Sequence, residues 1–163
     1  MLQRFVRLLH WLENGLLLGL ILGAVCLAST QIILRNSGAD ALLWADQALN
    51  ILVLWIAMSG ALVASRENNH IAIDLIQHYL PEKWLKVVTS LTQFATAAAC
   101  GVAAWFGYHF VREEMEYGDM AFQQIPMWLC EAIIPFALFI ISVRYLNYGI
   151  RSLFNAATNA PAS

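Results

Sequence analysis

The chain has 163 residues, 60% of them hydrophobic and 12% charged, with a net charge of −2. A soluble domain carries roughly a quarter charged residues, so too few polar side chains remain here to cover a soluble surface. The length allows one domain; the charge excludes a basic nucleic-acid-binding face, and no nucleic-acid partner is expected.

The first stretch, LQRFVRLLHWLE, sets Leu2, Phe5, Val6, Leu9 and Leu12 on one helical side and Arg4, Arg7 and His10 on the other. That pattern predicts an interfacial helix over 1–13, lying on an anionic inner leaflet. No cleavage pattern follows, so the next apolar run is expected to stay as the first span. Residues 14–34 carry no charge and match the roughly 20 apolar residues that cross a bilayer. Gly15, Gly19 and Gly23 recur every fourth residue along this span. They form a smooth face for close helix approach, with a partner either inside this chain or in another protein.

The segment ADALLWADQ predicts a short outer helix, with Asp40 as its cap and Trp44 as a headgroup-level anchor. A second span is expected over 47–65. The polar island SRENNHIAIDLIQHYLPEKW follows. Within it Ile71, Leu75, Ile76, Tyr79 and Leu80 recur at helical spacing, which predicts an interfacial helix over 70–80. Pro81 ends that helix and opens the next.

A third span is expected over 84–111, with Gly101 among its small packing residues. A fourth is expected over 122–146, and a flexible tail over 152–163. Glu131 is the one acid well inside a predicted span. Such an acid is a functional candidate that needs a partner, here Arg112, the outer interface or a second protein. Pro135 removes a backbone donor and is expected to kink this span. The predicted class is an all-α integral membrane protein of four transmembrane helices plus short amphipathic interfacial helices.

Lys and Arg in the loops set the orientation. Arg4, Arg7, Arg66, Lys83, Lys86, Arg144 and Arg151 fall on one side, Arg35 and Arg112 on the other. Both termini are therefore expected in the cytoplasm. The three cysteines lie in apolar runs without metal-ligand spacing. No phosphate-binding loop, HExxH, CxxC or nucleophile elbow occurs. His10, His70 and His78 fall at the cytoplasmic side and His109 near the outer end of span three, so no axial haem pair is expected in the core. No cofactor is expected in this chain, and it is not expected to be an enzyme.

From Trp44 the chain reads WADQALNILVLWIAMSGALVASRENNHIAIDLIQHYLPEKW, and later IPMWLCEAIIPFALFIISVRYL. Trp44, Gly60, Arg66, His70, Asp74 and Leu80-Pro81, then Trp128, Pro135 and Arg144, stand in an order and spacing that resembles the small membrane subunit of TRAP transporters, the DctQ-like family. Asp46 and Gln47 stand where that family often has two acids. The resemblance implies a bacterial or archaeal inner-membrane scaffold subunit for sodium-driven uptake of an organic acid, of the C4-dicarboxylate or sialic acid class. It implies as partners a large membrane subunit, which holds the sodium and substrate, and a periplasmic substrate-binding protein, beside the membrane lipids. Arg66, His70 and Asp74 are then structural, lipid-facing or partner-contacting rather than catalytic. The alternative is a membrane anchor or b-type haem subunit of a respiratory complex.

Overall fold

The computed structural model describes residues 2–37, 44–66, 82–122 and 125–158. The elements, in chain order, are α1 (Leu2–Asn36), α2 (Ala45–Ala64), α3 (Glu82–Tyr117), β1 (Met120–Phe122), β2 (Ile125–Pro126), α4 (Met127–Glu131) and α5 (Ile133–Thr158). Among the described residues four stretches are long and apolar enough to cross a membrane: His10–Asn36, Ala45–Ala64, Val87–Tyr117 and Met127–Ser152. The protein is a four-span helical membrane protein.

Several expected boundaries differ from those observed. The division expected between residues 13 and 14 has no break, because α1 is continuous from Leu2. Leu, Arg and Gln dominate that region and are strong helix formers, with no Gly or Pro before Gly15. The third helix runs past residue 111 to Tyr117, since REEMEY is also helix-forming. Gly118, at φ +71°, then ends it and donates its amide to the Glu114 carbonyl at 3.1 Å. That is the left-handed stop that glycine adopts without steric cost.

The expected fourth span over 122–146 is not one helix. β1 and β2 pair antiparallel just after Gly118, and Pro126 precedes α4. A turn at Ala132 separates α4 from α5. Pro135, lacking an N–H, cannot donate to the Glu131 carbonyl four residues back. The interruption therefore sits one turn before the proline. In place of the tail expected from residue 152, α5 continues to Thr158, because no helix breaker stands before Pro161. The expected helix over 70–80, Asp40, and residues 159–163 of the tail lie outside the described residues.

The helices pack in the order α3, α5, α2, α1. This is a row more than a closed bundle. Among the described residues no large side chain is fully buried. A small core forms where α2, α3 and α5 meet, from Leu62, Ala137 and Ile141 with Met58, Cys100, Ile140 and Tyr145 against it.

The α3–α5 seam is built from small residues. Ser90 Oγ lies 2.9 Å from Ser152 Oγ. Ser142 Oγ donates to the Ala97 carbonyl at 2.7 Å. A Cβ on Gly149 would stand 3.1 Å from the Phe94 ring, one on Gly101 3.2 Å from Ser142 Oγ, and one on Gly107 3.5 Å from Pro135. Along one helix the partners rise while along the other they fall, so the helices are antiparallel and their backbones approach closely. A bulky Gly149→Leu substitution must push the two apart. It is expected to destabilise the purified chain by about 1–3 kcal/mol, read as a lowered thermal unfolding midpoint in detergent.

Candidate functional site: an ion cluster joining three helices

At one end of the row three ionic side chains meet. Glu13 comes from α1, Arg66 from the turn after α2, and Arg144 from the middle of α5. Arg144 Nη2 donates to Glu13 Oε1. Arg66 Nε stands 3.4 Å from Glu13 Oε2. All three side chains are largely buried, at 13–16% exposure, so neither pair is a screened surface contact.

The remaining donors are also used. Arg144 Nη1 donates to the Leu62 carbonyl at 2.7 Å and lies 3.0 Å from Ser65 Oγ. Both acceptors lie at the C-terminal end of α2, where carbonyls have no helical partner and carry partial negative charge. Arg66 donates to the Val63 carbonyl, to the His10 carbonyl at 3.2 Å and to Asn14 Oδ1. Tyr148 Oη donates to the Arg66 carbonyl at 3.3 Å. Arginine suits this task because its planar fork presents five donors in fixed directions. The cluster is thus a clasp of α1, α2 and α5. It holds no nucleophile poised beside a base.

The opposite end is joined by neutral or singly charged contacts. Gln31 Nε2 donates to Asp46 Oδ1 at 2.9 Å, linking α1 to the start of α2. Trp55 Nε1 donates to the Cys130 carbonyl at 2.9 Å, linking α2 to α4. Glu131 is half-buried beside this link, and its Oε2 is buried without a hydrogen bond. Arg112, considered as its partner, stands 3.8 Å from Glu116 instead.

The other sequence-selected positions are scattered. Trp44 precedes α2 and accepts the Ala48 amide at its carbonyl. Gln47 is exposed beside Asp46. Trp128 and Pro135 line a groove between α3 and the α4–α5 segment. Gly15, Gly19, Gly23 and Gly60 have nothing within 4 Å of where a Cβ would stand. The glycine face of α1 is therefore not used for packing inside the described chain. His70, Asp74 and Pro81 lie outside the described residues.

Sequence reasoning brought forward Arg66 and Arg144 separately and missed the acid between them. Glu13 was assigned to the basic surface stretch. A lone acid beside Asn14, following Arg4, Arg7 and His10, was the available signal. Gln31 was missed likewise, an amide well inside the mostly apolar first span.

A family model described as "Tripartite ATP-independent periplasmic transporters, DctQ component" matches residues 24–155, well over half of the chain. The chain is similar to the C4-dicarboxylate TRAP transporter small permease protein DctQ of Rhodobacter capsulatus, at 28% identity over 107 residues, 65% of this chain and 47% of that protein. It is similar to the sialic acid TRAP transporter permease protein SiaT of Haemophilus influenzae, at 28% identity over 77 residues, 47% of this chain and 12% of that protein. It also matches the isethionate TRAP transporter permease protein DctMQ of Oleidesulfovibrio alaskensis, at 19% identity over 113 residues, 69% of this chain and 18% of that protein. The chain thus spans less than half the length of each of these relatives. Arg66, Arg144 and the Trp55 link lie inside the family match; Glu13 and the three α1 glycines precede it. The haem-subunit alternative is not favoured. The chain belongs to the DctQ family, a membrane component of tripartite ATP-independent periplasmic transporters and not an enzyme.

Proposed function

We propose that this chain is the non-catalytic scaffold subunit of a secondary transporter that imports an organic anion with sodium across the bacterial or archaeal inner membrane. The substrate classes named for its relatives, C4-dicarboxylate, sialic acid and isethionate, all carry an anionic group. In this reading a large membrane subunit holds the sodium and the substrate, and a periplasmic protein delivers the substrate. This chain itself takes neither sodium nor a cofactor. Both termini face the cytoplasm, which places the Glu13–Arg66–Arg144 clasp at the inner leaflet.

The observation that carries the proposal is the contrast between the two sets of glycines. Gly101, Gly107 and Gly149 meet α5 or α3 closely, while Gly15, Gly19 and Gly23 meet nothing. A helix with a smooth, uncovered face, held at one end by buried ion pairs, suits a brace against a second membrane protein.

The test is reconstitution. The chain, its co-encoded large subunit and the binding protein are placed in proteoliposomes under a sodium gradient. Uptake of labelled organic acid is expected with all three and none with this chain alone. Uptake that persists at full rate without this chain, or that this chain supports by itself, would overturn the reading.

A further inference from the structure

We propose that the groove along the α3–α5 seam is a binding site for one phospholipid with an aminoethyl head group, of the phosphatidylethanolamine type. The groove has a volume of about 740 Å³. Gly101 and Ala104 form its floor, and Trp105, Tyr108, Phe136 and Phe139 wall it. Arg112 stands at one end. The four aromatics are all well exposed toward the surrounding medium, so the groove is open along its length to a molecule arriving sideways from a bilayer.

The length fits an acyl chain. From Gly101 to Arg112 the helix rises ~16 Å at 1.5 Å per residue. One leaflet of hydrocarbon is about 15 Å, half of the ≈ 30 Å core. Arg112 therefore sits at headgroup depth when the floor sits near the bilayer centre. The lining extends on α3 from Gly101 to Met115, ~21 Å at 1.5 Å per residue. A flexible acyl chain follows that length against the aromatic walls.

The charges at the mouth select the head group. Arg112 is the one cation there, with Glu116 3.8 Å away and Glu113 and Asp119 exposed close by in sequence. The pair Arg112–Glu116 is itself an exposed one, worth little to the fold, and is free to exchange partners. A phosphate takes the guanidinium, and an ammonium with three donors takes the neighbouring carboxylates. An anionic lipid would meet a surface with more acids than bases. A quaternary head group has no N–H to give. Adjacent minus and plus on the lipid thus meet adjacent plus and minus on the protein. The site rests on the membrane-spanning reading alone and not on the transport proposal.

The experiment is native mass spectrometry of the full chain, delipidated in mild detergent and titrated with phosphatidylethanolamine, phosphatidylglycerol or phosphatidylcholine of matched acyl chains. One retained phosphatidylethanolamine is expected, with at least tenfold weaker retention of the other two. Arg112→Gln is expected to reduce that preference about tenfold, and Ala104→Trp to abolish retention by filling the floor. Thermal unfolding of each variant without lipid shows whether it is folded, and Gly19→Leu, far from the groove, should retain the lipid. Equal retention of all three lipids, or an unchanged preference in folded Arg112→Gln, would overturn the proposal. So would a Trp105→Cys variant that crosslinks to the large subunit in the assembled complex, since the groove would then hold protein.

Discussion

Glu13→Gln is expected to lower the stability of the purified protein by about 3 kcal/mol or more. The physical reason is asymmetry. The carboxylate stands between Arg144 and Arg66, and all three groups are largely removed from water. Removing one partner of a buried ion pair costs roughly 3–5 kcal/mol, because the charge left behind stays desolvated. Here two arginines are left facing each other, so attraction is replaced by repulsion. Arg66→Gln is expected to cost less than Glu13→Gln, since one Glu–Arg pair survives. Combining Glu13→Gln with Arg144→Gln should cost less than the sum of the two, because residues in one network are not independent. Thermal unfolding in detergent, followed by tryptophan fluorescence, measures the whole cycle. Additive losses within about 0.5 kcal/mol would show that the side chains act separately.

Gly19→Leu is expected to do the opposite of Gly149→Leu. Among the described residues no atom stands within 4 Å of a Cβ at Gly19, whereas the Phe94 ring stands 3.1 Å from one at Gly149. The isolated chain should therefore unfold at nearly its original temperature with leucine at 19. Assembly should suffer instead, since a close helix–helix approach depends on a small residue at the contact. At least a tenfold loss in the amount of large subunit copurified is expected, about 1.4 kcal/mol or more. Unchanged copurification and uptake would remove α1 from the assembly surface.

Much of the fold was legible because hydrophobic run length is a strong signal. Once a backbone must satisfy its own hydrogen bonds in lipid, a long apolar run can only be a helix. The less legible parts depend on single residues acting at a distance. Pro135 signalled a distortion of the last span, yet the turn falls at Ala132 because a proline disturbs the carbonyl four positions earlier. Gly118 ends α3 only because its left-handed backbone is used; the end expected at residue 111 is passed because REEMEY is helix-forming. The clasp was half legible. Arg66 and Arg144 stood out as basic residues at span ends. Glu13, 53 and 131 positions away from them, is joined to them only by tertiary packing. Whether Gly15, Gly19 and Gly23 pack inside the chain was open from spacing alone. Among the described residues they meet no side chain, since the row order leaves α1 at the margin.

That row order has a mechanical consequence. Helices laid side by side resist bending along their axes, because each is a continuous rod of hydrogen bonds, but resist spreading only through whatever joins their sides. The ion pairs lie at one end and join α1, α2 and α5, while single hydrogen bonds, from Gln31 to the Asp46 carboxylate and from Trp55 to a carbonyl, join the other. α3 and α5 are packed along their length, but the α1–α2 side of the assembly is shaped like a folding fan riveted near its base. Its spread at the open edge is set less by its own sequence than by what it leans on.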